Sequence, residues 1–134
     1  TNTPDEFLAV CGVLGLGRLL AEGQRDLLPR LRGLARDPRW RTREGVAMAL
    51  QRLGDADMAA LLEAMEAWAT DTPLVQRAAA AALCEPRLLR DPAHAARVLA
   101  VLDTITASIM QQRDRRGAAF VALRKGLGAR KAEI

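Results

Sequence analysis

Arginine is the residue type with the most chemistry to offer in this chain. Residues 38–53 carry Arg39, Arg41, Arg43 and Arg52 against Glu44, a net +3. Residues 113–131 carry five Arg and two Lys against Asp114, a net +6. Clustered cations of this kind attract phosphates and release counterions, or steer an acidic protein surface into contact. Arg39, Arg43, Arg77, Arg116, Arg124 and Lys125 are the candidates for such contacts. Residues 55–69 are the counterweight, with Asp55, Asp57, Glu63 and Glu66 and no base, a net −4. The same arginines on a solvated face would need no ligand at all.

Other side chains offer less. Trp40 and Glu44 stand four residues apart on a predicted helix and so share one face, a candidate aromatic and acid pair. His94 is the single histidine and has no second His, Cys pair or clustered carboxylates with which to hold zinc. Ser108 and Cys84 have no base in pattern. No catalytic residue, metal ligand or cofactor motif is assigned. Gly12, Gly15 and Gly17 form a G-x-x-G-x-G spacing with no strand before it, which departs from the dinucleotide fingerprint and points to close helix contact.

These residues must be positioned by helices. Half of the 134 residues are hydrophobic and 3% are aromatic, with no Tyr, a composition of small and aliphatic side chains that favours close-packed helices over strands. Cys11 and Cys84 sit in apolar helical patterns and read as reduced core residues of a cytoplasmic protein. The run Phe7–Leu20 is too short to span a bilayer, follows Asp5 and Glu6, and contains Arg18, so no membrane is expected.

The first helix starts at Thr3-Pro4 and ends near Glu22 and Gly23. A second covers about 26–36, with Pro29 in its first turn. Asp37-Pro38 caps a third that runs to Leu53 and is stopped by Gly54, with Trp40 available to the core. The fourth, about 56–69, has Met58, Leu61, Leu62, Met65 and Trp68 in one stripe. Asp71 caps a fifth that ends before Pro86. Asp91-Pro92 opens a sixth to Gln111, and a seventh with Phe120, Leu123 and Leu127 ends near Gly128.

Two stretches repeat one pattern. Asp37-Pro38-x-Trp40-x-x-Arg43-Glu44-x-Val46-Ala47-x-Ala49-Leu50 and Asp71-x-Pro73-Leu74-Val75-x-Arg77-Ala78-Ala79-x-x-Ala82-Leu83 each run from a turn Asp through Pro and Arg to Ala-Leu. A repeated helical unit is the mark of a solenoid. The pattern resembles the second helix of HEAT repeats. The resemblance implies an all-α, right-handed α-solenoid of about seven antiparallel helices over a single domain, 1–134. Residues 1–23 would form a capping helix, 24–54, 55–85 and 86–128 three helix pairs, and 129–134 a tail.

The resemblance also implies that Asp37, Arg43, Asp71 and Arg77 pair with neighbouring repeats, and that the second helices line the concave side. That side would be basic and part of the convex side acidic. The expected function is a non-catalytic scaffold holding a protein or acidic peptide on its concave face. The alternative is a nucleic-acid binder similar to the HEAT-type alkylpurine DNA glycosylases, whose cleft combines basic residues, tryptophans and a carboxylate, as Trp40 and Glu44 loosely do. The first helix is apolar nearly all round, so a homodimer or further chain is expected to cover it.

Overall fold

The computed structural model describes residues 4–111 and residue 125. The chain forms α1 (Pro4–Ala21), α2 (Leu28–Leu34), α3 (Trp40–Ala56), α4 (Met58–Trp68), α5 (Pro73–Leu83) and α6 (Pro92–Gln111), with 3-10 turns at Arg25–Leu27 and Pro86–Leu88. The seventh helix expected near 113–128 lies outside the described residues, apart from Lys125, which is helical and exposed.

Helix α1 ends where the sequence places its end. Gly23 takes φ +114, which a side chain would resist. Its N–H donates to Leu20 O at 3.1 Å, while Gln24 N–H reaches back to Leu19 O at 3.1 Å, so two terminal carbonyls are satisfied.

The expected stop at Gly54 is a correction. Helix α3 continues through it to Ala56, and the next helix is capped by Asp57, whose Oδ1 accepts from Ala60 N–H at 3.1 Å. Gly54 serves packing: a Cβ there would lie 2.8 Å from a Leu61 methyl and 3.0 Å from a Leu88 methyl. Asp37 likewise does not cap α3, whose first residue is Trp40; its carboxylate accepts from Arg39 N–H at 2.8 Å, inside the preceding turn.

The helices fall into two layers. α1, α3 and α5 stack side by side, and α4 packs on α6 in the second layer, with α2 lying on α3. Leu50, Leu53, Leu61, Leu62, Met65, Leu83, Leu102 and Ile105 are the fully buried core between them. Val13 of α1 meets Gly45 of α3, and Gly17 meets Ala49, so the two helices run parallel, as successive members of one layer must. Their approach depends on small residues. A Cβ on Gly17 would lie 2.6 Å from Ala49 Cα, closer than any real contact. Gly12 and Gly15 face open space, so only Gly17 makes the close contact that the glycine spacing suggested.

Cys84 is buried, but Cys11 is exposed, contrary to expectation. It stands on the side of α1 away from α3. Helix α6 has the length and hydropathy of a bilayer span over Pro92–Met110. Val98, Val101, Leu102 and Ile105 are buried against the rest of the fold, while Leu99 and Met110 stand exposed.

Candidate interaction surface

Helix α3 buries Thr42, Gly45, Val46, Ala49, Leu50 and Leu53 on one side and turns Trp40, Met48 and Arg52 to the other. Trp40 is 54% exposed and Met48 50% exposed, large apolar groups left in water on the layer formed by α1, α3 and α5. Trp40 is therefore not a core residue. It follows Arg39 as the first residue of α3. The guanidinium of Arg41 sits 4.9 Å from the centre of its ring, a cation–π contact that stiffens both side chains.

The candidate arginines divide by what they bind. Arg39 forks onto Asp37, its Nε donating to Oδ1 at 3.0 Å and its Nη2 to Oδ2 at 2.9 Å. Arg43 donates from Nη1 to the carbonyls of Asp37 at 2.9 Å and Pro38 at 3.2 Å, bracing the turn before its own helix. Arg77 crosses to the neighbouring unit and pairs with Glu44 at 3.6 Å. Asp71 also crosses, accepting from Arg32 Nε of α2. Two of the four expected inter-repeat residues, Asp71 and Arg77, thus bind across units, and Asp37 and Arg43 act within one turn. Arg116 and Arg124 lie outside the described residues. Arg41, which the sequence did not single out, is the cation attached to the exposed aromatic; nothing in the spacing marks an adjacent Trp-Arg pair as stacked.

The acidic segment is less acidic than its sum. Asp55 accepts from Arg87 at 2.9 and 3.1 Å, Glu66 accepts from Arg97 at 3.0 Å, and Asp57 lies 3.7 Å from Arg25. Three of its four carboxylates are therefore matched by arginines from flanking segments, which corrects the expected acidic convex patch. Beside the Glu66–Arg97 pair lies a groove of about 310 Å³ lined also by Ala69, Ala100, Val101 and Thr104.

A family model of HEAT repeats matches residues 8–84. The chain belongs to the HEAT-repeat family. The match spans α1 to α5, so it includes the first helix as well as both copies of the Asp-to-Leu pattern. No curated protein and no solved structure matches. The match carries no likeness to the glycosylases. In this HEAT chain Glu44 is engaged by Arg77, and Trp68, the second tryptophan, is buried in the core. His94 lies in the first turn of α6, 3.9 Å from Asp91. Among the described residues no three His, Cys, Asp or Glu side chains cluster as metal ligands would.

The turn carboxylates set a pH dependence. The Arg39 hydrogen bond holds Asp37 below the usual carboxylate range, and the Arg32 hydrogen bond does the same for Asp71, each against an opposing effect of burial. A carboxylate whose pKa is depressed on folding stabilises the fold above its unfolded pKa and loses that contribution as pH falls through the folded one. Stability should therefore decline below pH about 4. Asp71→Asn should cost about 1 kcal/mol at neutral pH and flatten that acid limb, read from urea midpoints between pH 7 and pH 3.

Proposed function

We propose that the chain is a non-catalytic HEAT-repeat scaffold that holds an acidic protein segment with an apolar anchor on the α1–α3–α5 layer. The observation that carries this reading is the exposed Trp40, stacked by Arg41 and followed two turns later by exposed Met48. Trp and Arg are the side chains that most often dominate protein interfaces, and an aromatic held rigid in water loses little entropy on binding. Arg41 and Arg52 supply positive charge beside it, while Arg39, Arg43 and Arg77 shape the surface by fixing its turn and its neighbouring helix. Cytoplasmic placement suits Cys11 and Cys84, which form no disulfide with each other.

A peptide-display selection against the purified chain, followed by titration of the selected peptides, tests the reading. Acidic sequences with an aromatic or aliphatic anchor are the expected outcome, and their binding should survive moderate salt. Labelled duplex DNA, titrated in parallel at about 50 and 200 mM salt, tests the alternative. Binding that falls by about 10³-fold or more between them would instead mark a phosphate-contacting groove and overturn the protein-scaffold reading.

A further inference from the structure

The side of α1 opposite α3 carries a stripe that is symmetric in its own sequence. Leu8, Gly12, Gly15 and Leu19 follow one another at spacings of four, three and four, which places them on a single line along the helix. All four are exposed, Leu8 at 65% and Leu19 at 37%. Nothing lies within 4 Å of where a Cβ on Gly12 or Gly15 would stand. Val13, Gly17 and Leu20, on the opposite side, are those committed to the fold.

We infer that this stripe binds a second copy of the chain, α1 against α1 and antiparallel, about a two-fold axis passing between residues 13 and 14. That axis sets Leu8 against Leu19 of the second copy and Gly12 against Gly15 of the second copy, each pairing occurring twice, as an isologous interface requires. The glycines allow the two backbones to approach closely, as Gly17 already does against Ala49.

Charge selects the direction. Phe7, 68% exposed, and Arg18 lie on the same flank of the stripe. The two-fold brings Arg18 within about one turn of the Phe7 ring of the second copy, within cation–π reach. A parallel pair would carry Phe7 and Arg18 of the second copy to the opposite flank and align the two macrodipoles. The stripe is about 17 Å long, less than a standard interface supplies, so the dimer should be weak, with Kd on the order of 10 µM.

Sedimentation equilibrium from about 5 to 200 µM reads this directly. The wild-type chain should show a monomer–dimer equilibrium. Gly15→Gln should weaken it at least about tenfold by holding the helices apart, while the melting temperature of the dilute monomer stays level or rises, since that side chain meets no atom of its own fold. A second readout uses Cys11, the exposed thiol. Antiparallel pairing sets the two copies of Cys11 about 8 Å apart along the axis, so a short bis-maleimide should link them. A chain that stays monomeric to about 200 µM, a dimer unmoved by Gly15→Gln, or a direct Cys11–Cys11 disulfide with no linker would overturn the inference.

Discussion

Replacing Gly17 with leucine should destabilise the chain by about 3 kcal/mol and lower its melting temperature by about 10 °C or more. The first atom added already meets Ala49 at 2.6 Å from Cα, 2.8 Å from Cβ and 3.1 Å from the carbonyl oxygen. Two of these are backbone atoms, which no rotamer change can move. The parallel pair α1 and α3 must separate, and the loss extends to Val13 and Leu20, which are buried by the same approach. Gly12→Ala and Gly15→Ala are the matched controls. Both positions are helical with open space ahead of the Cβ, so each should gain about 1 kcal/mol from helix propensity. Thermal melts of the three variants at a dilution favouring monomer give opposite signs for residues that share one helix. Equal shifts for all three would mean that α1 does not pack through Gly17.

The sequence reads this glycine only in part, because glycine signals either a chain reversal or a close approach. Gly23 is a reversal, and its position after a polar end of the helix marks it as one. Gly54 looks the same, followed by Asp55, yet it is a seat for Leu61 and Leu88 within α3. Periodicity fails at α1 for a related reason. Where nearly every residue is apolar, the pattern has no direction, and Cys11 is assigned to a core that lies on the other side. In α4, by contrast, Met58, Leu61, Leu62, Met65 and Trp68 form one stripe of large side chains among alanines and glutamates, and all five are buried.

Summing charge along the chain misreads it. The ion pairs that join one unit to the next lie 31 to 39 residues apart, about one repeat, as in Arg97–Glu66, Arg87–Asp55 and Arg32–Asp71. A segment with net −4 then becomes half of a ladder. Each exposed rung contributes only about 0.2–1 kcal/mol, so the ladder serves chiefly to match each unit to the next. The cross-unit pair with Glu44 removes Arg77 as a free cation, the local pair with Asp37 removes Arg39, and the surface signature is left in Trp40, Arg41 and Met48, which no net-charge count could find.

Trp40→Ala should weaken a selected acidic peptide by about 30-fold or more, the loss expected at a central aromatic anchor, while lowering the melting temperature by no more than about 5 °C. The two effects separate because Trp40 stands half out of the fold in the unbound chain, at the first residue of α3. Substituting exposed residues away from caps and cores costs at most about 0.5 kcal/mol, and the stack with Arg41 that the substitution removes is worth about 0.5–1 kcal/mol. Met48→Ala should weaken binding less, by about fivefold, since its thioether adapts to many surfaces. Arg39→Ala gives the discriminating comparison. Its guanidinium already bonds both oxygens of Asp37, so its removal should lower stability by about 1 kcal/mol and change peptide affinity little. Isothermal titration of the three variants against one peptide, with a thermal melt of each, measures all of this. The reverse order, with Arg39→Ala severe and Trp40→Ala silent, would place the binding surface on the charged turn before α3 and not on the exposed face of that helix.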